Sequence, residues 1–183
     1  MATLITNFYT VDNQAGVDLN NPQAISVTTA PEIPGPAANL GDICQGIGGS
    51  QWVRVKASTT VTALNIVKID ESFNANNCDW STANGVTNSK TLGLAEFQAS
   101  VANAGDYFWA MVAGRGGALV NVLSTAAAQA TLYISSSSPG SITTTLASSA
   151  TNAVLTNAAL PTALASTTAA IELVFAYMRG TTQ

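Results

Sequence analysis

Gln51-Trp52-Val53-Arg54-Val55-Lys56-Ala57 decides the fold class. Successive side chains of a strand point to opposite faces, so a two-residue period marks a strand. Val53, Val55 and Ala57 share one face of this run; Trp52, Arg54 and Lys56 share the other. The same period recurs downstream. Residues 61–69 set Val67 and Ile69 against Ile66 and Lys68, and residues 91–97 put Leu92 with Leu94. Residues 106–113 alternate Tyr107, Trp109 and Met111 with Phe108, Ala110 and Val112. Both faces are apolar there, as a central strand requires. Residues 118–123 and 131–134 follow. Near the C-terminus Ile171, Leu173, Phe175 and Tyr177 alternate with Glu172, Val174, Ala176 and Met178. Turn-forming residues separate the runs at 74–77, 104–106, 114–117 and 135–141. Many short strands with turns about every ten residues predict an all-β chain, a small β-barrel or β-sandwich body. One short helix is expected at 124–130, where alanines cluster.

Residues 1–50 follow a different pattern and are read as an extended N-terminal arm on a barrel-like body, residues 51–183. Four of the six prolines fall in this stretch, at 22, 31, 34 and 36, among many Asn and Gly residues. Proline fixes φ and removes a backbone donor, so regular elements are hard to sustain. Large apolar residues nevertheless recur: Phe8, Tyr9, Leu19, Ile25, Ile33 and Leu40. Spaced anchors on an extended segment suit a chain that lies across a surface, either a partner's or that of its own body.

Composition excludes several functions. The chain has 183 residues with six Lys+Arg, ten Asp+Glu and a net charge of −4. Nucleic-acid affinity comes largely from basic side chains on phosphates, so no nucleic-acid partner is expected. There is no histidine. A Ser-His-Asp triad, a Cys-His pair and a His-ligated zinc are therefore excluded. Charged residues are 9%, while 31 alanines, 23 threonines and 16 serines dominate. No basic and apolar leader starts the chain and no run of about 20 apolar residues occurs, so neither secretion nor a membrane partner is expected. Synthesis in a cytoplasm would keep Cys44 and Cys78 reduced; an extracellular life would allow them to bridge. No charge occurs from 116 through 171. Interface cores are depleted of charge, so this span is read as a self-association face. Part of 141–168 is close to low complexity and is expected to contain a loop.

The candidate chemistry is sparse. Asp70-Glu71 is an adjacent carboxylate pair, but strand neighbours point apart and cannot act on one bond. Cys44 has no base beside it in the sequence, and Lys56, Lys68 and Lys90 show no spacing that marks a Ser-Lys dyad. Gly46-x-Gly48-Gly49 and Gly114-x-Gly116-Gly117 lack the phosphate-loop pattern and are read as hairpin turns. Trp109 sits in the apolar central run and is assigned to the core; Trp52 and Trp80 are candidates for a sugar platform. No catalytic residue, cofactor or metal ligand is assigned, and the chain is not expected to be an enzyme.

Gly48-Gly49-Ser50-Gln51-Trp52-Val53-Arg54-Val55-Lys56-Ala57, with Val67-Lys68-Ile69-Asp70-Glu71, resembles a family of tailed-phage virion proteins. So do Leu92-Gly93-Leu94-Ala95, Ala104-Gly105-Asp106-Tyr107-Phe108-Trp109-Ala110, Val120-Asn121-Val122-Leu123, Leu132-Tyr133-Ile134-Ser135 and Pro139-Gly140. The family is that of small β-barrel capsid decoration, or cement, proteins. The likeness covers about residues 40–140 and the final strand, and not the arm. It implies a non-enzymatic virion protein on the outer capsid surface, made in the host cytoplasm. It would bind the major capsid protein, favour a homotrimer, bridge capsomers and stabilise the capsid. Phe8, Tyr9, Leu19, Ile25, Ile33 and Leu40 would anchor to the shell or to a sister subunit. A tail or head-fibre base protein and a carbohydrate-binding module are the alternative readings.

Overall fold

The computed structural model describes residues 22, 39–46, 49–79, 91–97, 99–114, 118–123, 127–135, 137–144, 153–160 and 168–180. Fourteen strands lie among them: β1 (Ile43–Gln45), β2 (Gln51–Ala57), β3 (Val61–Thr62), β4 (Ile66–Ile69), β5 (Asn74–Asn77), β6 (Thr91–Leu94) and β7 (Val101–Ala102). The rest are β8 (Tyr107–Gly114), β9 (Leu119–Asn121), β10 (Leu132–Ile134), β11 (Ile142–Thr143), β12 (Ala153–Ala159), β13 (Thr168–Ala170) and β14 (Glu172–Gly180). The chain is all-β, and β2 has the bounds its period-two pattern predicts.

Five strands close into a barrel. β2 pairs with β5, β5 with β4, β4 with β6, β6 with β8, and β8 returns to β2. Closure rests on β8, which runs antiparallel to β2 from Lys56↔Tyr107 to Gln51↔Ala113. Alternate residues of the five strands fill the interior. Val53, Val55 and Ala57 from β2 meet Val67 and Ile69 from β4, Ala75 from β5, and Phe108, Ala110 and Val112 from β8. β6 contributes Gly93, where a Cβ would lie 2.9 Å from the Ala110 methyl and 3.2 Å from Ile69 Cδ1. A barrel this narrow has room for small side chains and for few rings. Phe97 and Phe108 meet edge to face, with centroids 5.4 Å apart.

Barrel closure depends on a strand that the sequence presents as a turn. Asn74–Asn77 is β5, parallel to β2 and antiparallel to β4. Asn is a poor strand former, but these side chains have partners. Asn74 Nδ2 donates to Asp70, Asn76 Oδ1 accepts from Thr59 Oγ1 at 3.0 Å, and Asn77 Oδ1 accepts from Asn65 Nδ2 at 3.2 Å. Ala75 alone faces inward and is fully buried.

The opposite faces of β2, β4, β6 and β8 form a second core. β14 meets β8 at Leu173↔Gly114 and β6 at Tyr177↔Thr91, and it carries β12, β10 and β11 onward in the same ten-stranded sheet. Trp52, Ile66, Leu92, Leu94, Trp109 and Met111 pack there with Val120, Val122, Leu132, Ile134, Ile142, Leu160 and Ile171. The Pro139-Gly140 turn locks this layer to the barrel: Gly140 N–H donates to Cys78 O at 2.6 Å and Ile66 N–H donates to Gly140 O at 2.7 Å. A Cβ on Gly140, at φ 84°, would collide with Asn65.

Several expectations are corrected. Residues 127–130 run as a turn with Gln129 at φ 58°, not as a helix; 124–126 lie outside the described residues. The run 61–69 is broken by Leu64 at φ 62°, giving β3 and β4. β1 and β2 do form a hairpin, with Gly46 N–H donating to Ser50 O; 47 and 48 lie outside the described residues. Of Gly114–Gly117, Gly114 ends β8 and 115–117 lie outside the described residues; β9, which follows, pairs with β13. Within the low-complexity span 153–159 form β12, flanked by β10 and β14, while 145–152 and 161–167 lie outside the described residues. From the charge-free span, Val120, Val122, Leu132, Ile134, Ile142, Leu160 and Ile171 line the chain's own second core, while Leu119 and Tyr133 are half-buried and Leu123 is exposed.

Candidate docking surface at the arm root

Residues 39–46, counted with the arm in the sequence, run along β2. Asn39 O accepts from Asp42 N–H at 3.1 Å, closing a turn with Gly41 at its third position. Gly41 takes φ 86°, which an L side chain resists. Gly41 and Asp42 together oppose Arg54, forming a bulge: Gly41 N–H donates to Arg54 O and Arg54 N–H to Asp42 O, each at 2.9 Å. β1 then continues antiparallel to β2. The Phe73 ring, from the turn before β5, lies against Gly41 so closely that any Cβ there would overlap it. Asp70 holds that turn, accepting from Ser72 N–H and Asn74 N–H, both at 2.9 Å. Phe73 itself sits at φ 58°. The chain leading out of residues 1–38 is thus fastened by a bulge, a strand pair and an aromatic ring.

Apolar and charged groups gather around this root. Leu40 is half-buried, Ile43 is 60% exposed and Phe73 36%. Arg54 stacks on Tyr107, 5.3 Å from the ring centroid, a contact worth about 0.5–1 kcal/mol in partly exposed settings. Partial burial draws the Arg54 guanidinium below its usual range; the Tyr107 hydroxyl and Asp42 carboxylate oppose that. Of the expected anchors, the structure places Leu40 at this root. Phe8, Tyr9, Leu19, Ile25 and Ile33 lie outside the described residues.

Among the described residues, the remaining chemistry-bearing groups do not converge. Asp70 caps its turn and Glu71 is exposed. Lys68 pairs with Asp79 at 2.9 Å on a half-exposed surface. Cys44 and Cys78 are buried, and burial pushes the Cys78 thiol up to about 12, so it is not a nucleophile near neutral pH. Among the described residues, no three of His, Cys, Asp and Glu gather as a metal site, and no helix there is long and apolar enough to cross a membrane. Trp52 is fully buried, with its indole N–H donating to Ser50 Oγ at 2.9 Å, so it is not an exposed platform for a sugar. Trp109 is core, as expected, though its indole N–H finds no acceptor among the described residues. Trp80 lies outside them.

Two polar features had no sequence signal. Glu96 is half-buried beyond β6, and its Oε2 accepts the Leu119 N–H at 3.0 Å. Burial pushes its carboxyl up to about 7, against the pull of that hydrogen bond. Asn65, 5% exposed, is the hub of an asparagine network. It donates to Pro139 O at 3.0 Å and to Asn77, and accepts from Asn121 Nδ2 at 2.8 Å. Asn121 also donates to Ala63 O at 3.0 Å. The network ties barrel, β9 and the Pro139-Gly140 turn together.

Fold and site define an all-β protein with a closed five-strand barrel, an appended sheet and a fastened N-terminal segment. No family model matches the chain, and no curated protein or solved structure is significantly similar to it.

Proposed function

We propose that this protein is a structural part of a phage particle, binding the outer capsid surface and stabilising it by bridging capsomers. Its partner is the major capsid protein, it acts as a homo-oligomer, with a trimer favoured, and residues 1–38 reach across to the neighbouring subunit. The observation that carries the reading is the fastening at the arm root. A tether resists force only if its base does not peel away. Here a pull on residues 1–38 meets the Gly41–Phe73 contact, the bulge opposite Arg54 and the β1–β2 pairing before it can open the barrel. The body supports the reading too: a closed barrel has no free edge within it to fray, and a sparse charge of six basic and ten acidic residues suits broad apolar contact.

Copy number in purified particles tests this reading. A count comparable with the shell subunit is expected; a handful of copies would move the protein to a tail or fibre, and absence would refute a virion role. Deleting residues 1–38 should abolish binding to emptied shells while the body keeps its β-sheet circular dichroism. Undiminished binding by that truncation would refute the role given to the arm.

A further inference from the structure

β1 is the terminal strand of the ten-stranded sheet. Its pairing with β2 uses Asp42, Cys44 and Gly46, which bond or stand opposite Arg54, Trp52 and Ser50. Backbone groups alternate in direction along a strand, so the N–H and C=O of Ile43 and Gln45 point away from β2. Among the described residues nothing bonds to them. Ile43 is 60% exposed at this edge, opposite Val53 of the barrel rim. An open edge flanked by an exposed β-branched side chain is a template for an added strand.

The chain's own preceding residues are ill suited to fill it. The 39–42 turn reverses the chain, so continued pairing would set residue 38 opposite Ile43 and Pro36 opposite Gln45. Pro36 has no N–H for the Gln45 carbonyl, and Pro34 follows at the same parity. Further upstream, Ala24-Ile25-Ser26-Val27-Thr28-Thr29 has no proline, glycine or charge, and Ile25 and Val27 would share one face. Residues 30–38 separate it from the root and hold Pro31, Pro34 and Pro36. At ~3.1 Å per residue in an extended proline-rich conformation, nine such residues would reach roughly 28 Å, enough to bring the segment to a second copy.

We propose that the outer edge of β1 receives residues 24–29 of a second copy of this chain, added as a strand beside Ile43–Gln45. This rests on reading residues 1–38 as an arm, but it requires no shell, so the isolated full chain tests it. Unlabelled and nitrogen-15 chains, both carrying Ile43→p-benzoylphenylalanine, are mixed, allowed to exchange and irradiated. Cross-links from position 43 to residues 24–29 are expected, about half of them joining a light to a heavy chain. Links only between like-labelled chains would show the arm on its own edge; links elsewhere, or none, would overturn the proposal equally. Sedimentation gives an independent readout. Gln45→Pro removes an outward N–H without breaking a β1–β2 bond, and Ile25→Pro/Val27→Pro disables the donor segment. Each should weaken self-association at least tenfold with the melting transition of the body retained. A monomeric full chain, or association unchanged by both variants, would overturn the assignment. Linked copies that fail to bind shells would instead sink the virion reading alone.

Discussion

Gly41→Ala tests the fastening of the arm root in a way that separates its two causes. The backbone at Gly41 holds φ 86°. A side chain in that region costs about 1–2 kcal/mol. The new Cβ would also overlap the Phe73 ring. Relief requires expelling the ring or opening the bulge, with loss of the two 2.9 Å bonds between 41–42 and Arg54. Each is worth about 1 kcal/mol net, so the whole penalty is about 2–4 kcal/mol. Because β1 is an edge strand, this appears as local opening. Amide exchange at Arg54, whose N–H is bonded to Asp42 O, should accelerate roughly 30- to 1,000-fold at one decade per 1.4 kcal/mol. Gly49→Ala is the control: φ is 75° there too, but nothing lies within 4 Å of a Cβ. It should incur the backbone cost alone. In a Phe73→Ala background, Gly41→Ala should fall back to that same cost, giving a coupling energy of about 1–2 kcal/mol in the double-mutant cycle. Equal effects of the two glycine substitutions, or no coupling to Phe73, would refute the claim that ring and glycine clasp each other.

Other outcomes follow from the same geometry. Glu96 titrates near 7 in the folded chain against an ordinary 4.5. The folded state therefore holds this proton more tightly, and its contribution to stability is complete below pH 4.5 and lost as pH rises through 7. The loss is about 3 kcal/mol at 1.36 kcal/mol per pH unit; urea melts at pH 4.5 and 8 should show it, and Glu96→Gln should flatten that difference. Trp52→Ala empties a fully buried site and should cost about 3–5 kcal/mol in chemical denaturation. A cost below 1 kcal/mol would mean that Trp52 is not in the core. Asn65→Leu leaves the Pro139 carbonyl and the Asn121 amide without their bonds and should cost about 2–3 kcal/mol. A neutral result in thermal melts would dismiss the network as a tie between the layers.

Glu96 and Asn65 show why part of the site was invisible in the chain. Neither stands in a motif. Glu96 is shifted only because distant residues bury it beside Leu119, and Asn65 is a hub only because residues 77, 121 and 139 converge on it. Gly41 looked like one of many glycines in a proline-rich stretch; its partner, Phe73, lies 32 residues away. The alternation of β2 left Trp52 undecided between core and water; it is core because both faces of β2 are covered, one by the barrel and one by the second layer.

Sequence alone determined that the protein is built of strands, and it placed β2, β8 and β14 nearly to the residue. Their two-residue period arises from backbone geometry between adjacent residues and needs no partner to be read. Tertiary structure alone decided that five strands close, that Asn74–Asn77 is one of them, and that β1 ends the sheet among the described residues. Closure and edges are properties of pairing between residues far apart in the chain. The side-chain bonds from Thr59 and Asn65 that support β5 in a turn-like sequence exist only once the barrel has formed.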